Sequence, residues 1–269
     1  MIKSKLLLCA LIPFALAGCK PKENKTREVV DDPVVDVLPD ITPEQAQEVE
    51  PSKVPALVYS KLNSYNFYKA VTSGTTVAKL WGFPVTQEID ATVLKGEYSY
   101  LRNESKGTVN TVHEAYYHDT RAAFREKESG DFTVKTLDEY LGIYGTYPFD
   151  RGIEGYLINN DAVKSVTKGE STDSNLVYNL EFDPEKSTNN VKIQMQKFGG
   201  LDEYPVFSLI EMKLTVTKDF TLVKLDLHSK YTAKKVMNTD CEQNYTVSYT
   251  NYNENLEIPN LDSVKGLFS

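Results

Sequence analysis

The stretch Ile210-Glu211-Met212-Lys213-Leu214-Thr215-Val216 decides the fold class. Its apolar residues fall at every second position, with Glu211, Lys213 and Thr215 between them. A strand turns successive side chains to opposite faces, so this period of two describes a sheet with one buried and one wet face. The same pattern recurs along the chain. Ile89, Ala91 and Val93 oppose Glu88, Asp90 and Thr92; Leu176, Tyr178, Leu180 and Phe182 oppose Asn179 and Glu181. Val223, Leu225 and Leu227 oppose Lys224, Asp226 and His228, and Tyr245, Val247 and Tyr249 oppose Thr246 and Ser248.

Helical signals are fewer. Leu57, Tyr59 to Leu62, Tyr65, Phe67-Tyr68 and Val71 predict a helix stopped by Gly74. Thr136 to Leu141 predicts a second, ending near Gly145 and before Pro148. A third should begin with Asp183 as N-cap and Pro184 at its first position, bury Val191, Met195 and Phe198, and stop at Gly199-Gly200. Many one-faced strands and few helices predict an α+β fold, a strongly curved antiparallel sheet wrapped as a half-barrel around helices.

The N-terminus reads differently. Lys3 and Lys5 precede an apolar run from Leu6 to Ala17, too short to cross a bilayer permanently, so residues 1–18 read as a removable signal peptide. Residues 19–55 read as a tether: prolines recur from Pro21 to Pro55, carboxylates crowd it, and aromatic residues are missing from positions 20–55. Such a segment cannot bury enough apolar surface to order itself. It should be dispensable for folding and reach roughly 30–35 Å as a flexible coil. Within it, Asp40-Ile41-Thr42-Pro43-Glu44 reads as the start of a short, marginal helix through Gln47. Residues 56–269 form a single predicted domain.

Composition narrows the function. Of 269 residues, 41% are hydrophobic and 25% charged, enough for a real core. The net charge of -8 argues against a nucleic-acid partner, which needs a basic surface. Removing the signal takes away Lys3 and Lys5 and leaves the chain more acidic still. Of three cysteines, Cys9 lies in the signal and Cys19 at its end. Cys241 alone remains in the domain, where it reads as a structural thiol.

Catalytic motifs are missing from the sequence. His113-Glu114 has no second histidine at the spacing a zinc protease needs. His113 and His118 would face opposite sides of one strand, and His228 lies among Lys224, Asp226 and Lys230 on a wet face. No Gly-rich phosphate loop or nucleophile elbow occurs. These readings predict a non-enzyme with no cofactor and no metal. The aromatic content is unusual, with 17 Tyr against one Trp. Tyr98, Tyr100, Tyr117, Tyr245 and Tyr249 are the candidate ligand-binding residues, because tyrosine joins an apolar ring to a polar tip. The plainer reading is that tyrosine simply suits strands.

Leu16-Ala17-Gly18-Cys19 resembles the lipobox of bacterial lipoproteins. The resemblance implies a diacylglycerol group on the Cys19 thiol and cleavage just before it. The protein would then sit outside the cytoplasm, anchored to the membrane of a bacterial cell envelope, since two acyl chains hold stably where one does not.

The layout of lipobox, tether and one-faced sheet resembles the LolA/LppX-like superfamily over roughly residues 56–260. Leu256-Glu257-Ile258-Pro259 is similar to that family's terminal Ile-Pro ending. The resemblance implies a half-barrel that binds lipid acyl chains, and carries over no individual functional residue. The segment from Thr120 to Gly155 has no counterpart there. Two function classes follow: a carrier of a lipid or other amphipathic ligand, and an interaction protein that binds an envelope protein partner or a cell-wall polymer. A hydrolase with an unrecognised site ranks third.

Overall fold

The computed structural model describes residues 41–144, 162–234 and 237–268. The expected signal peptide, Cys19 and the expected tether as far as residue 40 lie outside them, as do residues 145–161. The described chain is α+β, with an 11-stranded antiparallel sheet and few helices. One run of strands is β1 (Tyr68–Leu80), β2 (Phe83–Lys95), β3 (Ser99–Gly107), β4 (Thr111–His118), β5 (Arg121–Arg125) and β6 (Thr133–Thr136). The other is β7 (Val163–Lys168), β8 (Asn175–Phe182), β9 (Val206–Thr217), β10 (Leu222–Lys234) and β11 (Asn238–Thr250). Each run is a meander in which neighbours in sequence pair. The pairing of β1 with β11 stitches the two meanders into one sheet, ordered β6-β5-β4-β3-β2-β1-β11-β10-β9-β8-β7.

The helices are α1 (Pro43–Glu48), α2 (Val54–Ser64), α3 (Leu137–Tyr144), α4 (Pro184–Ser187), α5 (Asn189–Gly199) and α6 (Leu261–Val264). One sheet face, here the inner face, carries α1, α2 and α5. Leu57, Val58 and Leu62 of α2 and Val191 and Met195 of α5 join Ile210, Met212, Leu214, Leu225 and Val247 in one core. Burying each such side chain contributes about 1.5–3 kcal/mol. α3 covers the far end of the same face, setting Tyr140 and Tyr144 over Ala115, Tyr117, Ala122 and Phe124. The two clusters share one face by register, since Tyr249 pairs with Ala70, Ala70 with Val93, Val93 with Leu101, and Leu101 with Ala115.

The expected strand phases hold at Ile89, Tyr178, Met212 and Tyr245. At Val223 the phase differs. A bulge after Leu222 breaks the pairing with β9, and Leu222 takes the buried place. The helix beginning at Pro184 is present, with the Asp183 side chain accepting from the Glu185 amide at 2.9 Å. It breaks at Thr188 into α4 and α5, and Gly200 ends α5 in the left-handed conformation. The side chain of Phe198 lies outside the described residues.

Three expectations are corrected. Gly74 ends no helix: α2 stops at Ser64 and Gly74 sits in the middle of β1. A Cβ there would lie 2.3 Å from Tyr245 Cδ1 and 2.2 Å from the Asn244 carbonyl, so glycine makes room for the tyrosine ring. The packed region also starts before residue 56. Thr42 and Gln45 form a capping box on α1, Ala46 and Val54 are buried, and Ile41 and Val49 pack against the core. Finally, the sheet is open, with β6 and β7 as its edges, and is not strongly curled.

Candidate functional site

The outer face of β7, β8, β9, β10, β11 and β1 holds an open groove of about 710 Å³. Strand alternation puts the polar half of each period-two pattern here, and pairing aligns those residues into rows. One row runs Thr167, Asn179, Lys213, Asp226, Thr246 and Ser73. The next runs Glu181, Glu211, His228 and Asn244. All of these line the groove, with the sheet itself as its floor at Met212 and Leu227.

The charges in the groove are mutually tied. Asp226 accepts from Lys224 Nζ at 2.9 Å and from the Thr246 hydroxyl at 2.6 Å. Partial burial alone would raise its pKa, but these bonds and the nearby lysines hold it below the usual carboxylate value. His228 lies between two carboxylates, with Nδ1 at 2.9 Å from Glu211 and Nε2 at 2.8 Å from Glu242. The bond to Glu211 chiefly, then the one to Glu242, raise its pKa against the opposing effect of burial. Lys213 is exposed and has no ion-pair partner within 4.0 Å among the described residues. Chemically, both oxygens of Asp226 and both nitrogens of His228 are already engaged. Among the described residues, the groove thus presents fixed charge, the Lys213 ammonium group and a rim of hydroxyl and amide groups at Ser73, Thr167, Asn179 and Asn244.

The five candidate tyrosines do not assemble into one site. Tyr98 stacks on His118 with centroids 4.0 Å apart and meets Phe268 edge-on. Tyr100 is buried on the outer face, donating to Glu114 at 3.1 Å. Tyr117 is buried on the inner face against Tyr140. Tyr249 is buried beside Tyr68, 6.1 Å away. Tyr245 is buried on the inner face, bonded to Thr76 at 2.8 Å, and of the five it alone borders the groove, as part of the sheet that forms its floor. The plainer reading of strand tyrosines as core residues fits the four that are buried.

The remaining candidates fall into structural roles. His113 is buried on the inner face, 2.8 Å from the Tyr140 hydroxyl, and loss of solvent lowers its pKa to about 3. His118 faces the opposite side, as its spacing predicts. Cys241 is buried and its thiol is pushed up to about 12 by burial, which makes it a poor nucleophile. The described residues contain no group of three or more His, Cys, Asp or Glu that could hold a metal ion. Among them, no helix is long and apolar enough to cross a membrane.

No protein family profile and no curated protein matches the chain. Among solved structures, it is similar to a DUF1329 family protein from Desulfovibrio piger at 13% identity and a TM-score of 0.29, over 79% of this chain and 97% of that one. It is also similar to an inactive mutant of the CurK dehydratase at 8% identity and a TM-score of 0.14, over 74% and 80%. Likeness this distant transfers neither ligand nor activity.

Proposed function

We propose that the protein is a membrane-anchored envelope lipoprotein, not an enzyme, whose outer groove binds a hydrophilic polymer of the cell wall. The observation that carries this reading is the groove's polar lining over six strands. A sugar chain presents many hydroxyl groups, which suit the amide and hydroxyl rim, while Lys213 suits an acidic substituent. The lipid-carrier reading, with acyl chains held inside a LolA-like half-barrel, is less well supported. The inner face is occupied by α2 and α5, and the side chains that stand up around the outer groove are polar, over a floor shared with Met212 and Leu227. Asp226 and His228 are each held by two neighbours, which suits fixed charges that position a ligand.

Anchoring rests on the lipobox alone. Wild-type cells should take up a fatty-acid probe into this protein, and Cys19→Ala should abolish the label. Equal labelling would end that part of the proposal. For the groove, calorimetric titration with soluble cell-wall glycan fragments should show binding. Lys213→Met should weaken it about tenfold, as expected for one lost charge-assisted hydrogen bond. Binding that Lys213→Met leaves unchanged, or binding only to lipid extracts, would reject the groove reading.

A further inference from the structure

We infer that the β1–β2 hairpin tip is a second binding surface, one that dips into the interface of a neutral lipid bilayer. The tip is Leu80-Trp81-Gly82-Phe83-Pro84. Trp81 is the chain's one tryptophan, yet it is 68% exposed, and Phe83 is 73% exposed. Tryptophan is among the most buried residues on average, so a sole tryptophan left in water is informative. Its backbone adds to this. Trp81 and Gly82 both have positive φ, 50° and 85°, the two-residue turn in which asparagine and glycine are usual. A bulky residue is unfavourable there, so turn formation does not explain the tryptophan.

The tip has company. Ala78 pairs with Cys241, Cys241 with Tyr231, and Tyr231 with Phe207, one row that crosses four strands. Beyond that row, at the same end of the sheet, lie Trp81 and Phe83 and also Val206 and Tyr204, which are 68% and 52% exposed. Three strand spacings, roughly 14 Å, separate the two groups. Lys79 is exposed beside the tip, and Lys234 at this end pairs with Glu203. Aromatic rings with flanking lysines are the composition of a membrane–water interface, where the ring enters the headgroup region and the ammonium stays in water.

A bilayer is the occupant this chain would meet. The inference rests on the lipoprotein reading in this respect: Ile41, the first described residue, follows Cys19 by 22 residues. An anchor so near in the chain would turn a contact too weak for a free protein into an intramolecular one. The net charge of -8 favours zwitterionic over anionic headgroups.

The sole tryptophan is also the probe. The mature full chain is anchored in phosphatidylcholine vesicles and Trp81 emission is recorded. It should lie at shorter wavelength than in the Cys19→Ala chain in buffer, and lipids with brominated acyl chains should quench it about twofold. Phe83→Ser should remove most of both effects while the chain stays anchored and folded, and anionic phosphatidylglycerol should diminish them. Emission equal to that of the Cys19→Ala chain, with no quenching by brominated lipid, would overturn the inference and leave a protein partner for the tip. Should the chain not float with vesicles, the anchor reading fails separately. The same quenching is then read by titrating lipid against the free chain: quenching sustains the inference, and its absence at saturating lipid overturns it.

Discussion

Two halves of one sheet face carry similar charges and treat them in opposite ways. On β10 and β9, Asp226, His228 and Lys213 stand in an open groove. On β4 and β5, Glu114 and Arg125 belong to the same outer face, yet Glu114 is 2% exposed. The chain after β11 makes the difference. Leu256, Ile258, Leu261, Val264, Leu267 and Phe268 fold back over Leu94, Tyr100 and Tyr116, and the Tyr116 hydroxyl donates to the Pro259 carbonyl at 2.9 Å. Beneath this cap Arg125 reaches Glu114 through Nε at 2.7 Å and Nη2 at 2.5 Å, and stacks on Phe132. A capped charge must be matched partner for partner, whereas an uncapped one can keep a ligand as its partner.

The comparison is most easily broken at the buried pair. Arg125→Met should destabilise the protein by about 3–5 kcal/mol in urea unfolding, because it strands the Glu114 carboxylate away from water. Glycan binding in the groove should persist below the transition. A loss under 1 kcal/mol would mean that the cap admits water. Next in size, Val264→Ala should cost about 2 kcal/mol by loosening the cap. It should also redshift tyrosine absorbance at lower pH than in wild type, since burial holds Tyr116 up near 12. An unchanged tyrosine titration would argue that the cap does not shield that half.

The open half should respond to pH rather than to cavity formation. The folded pKa of His228 is raised above its unfolded value, so its contribution is full below the unfolded value near 6.5 and is lost as pH rises through the folded pKa. The stability gap between wild type and His228→Asn should therefore be wider at pH 5.5–6 than at pH 8.5, by a fraction of about 1 kcal/mol. A gap that widens toward alkaline pH would contradict the Glu211–His228–Glu242 arrangement. Smallest of all, Lys213→Met should shift stability by no more than about 0.5 kcal/mol, as a surface change does, even while it weakens ligand binding.

Much of this division is illegible in the sequence, for physical reasons. Alternation gives a strand's two faces but not what lies over each. Glu114 and Glu211 both sit among period-two patterns, and only the path of the segment from Leu256 to Phe268 separates them. The Ile-Pro at Ile258-Pro259 was visible as a family-like ending, and its role as a lid over Tyr116 was not. Gly74 misleads because a glycine after a helical pattern and a glycine beneath an aromatic ring look alike in one dimension. Thr42-Pro43-Glu44-Gln45 carried a legible helix start, but the burial of Ala46 depends on distant strands. Tyr100, Tyr117, Tyr245 and Tyr249 suit a ligand by chemistry alone, yet their β preference places them in cores. Trp81 stood out only by being single; its exposure required the turn.

The central claim is that ligand binding belongs to the open half of the outer face. Backbone amide NMR during titration with cell-wall glycan fragments tests it directly. The account predicts shifts at Asn179, Lys213, Asp226 and Asn244, with none at Arg102, Glu114 or Tyr116. Shifts confined to β3, β4 and the C-terminal segment, or none anywhere at saturating glycan, would contradict it.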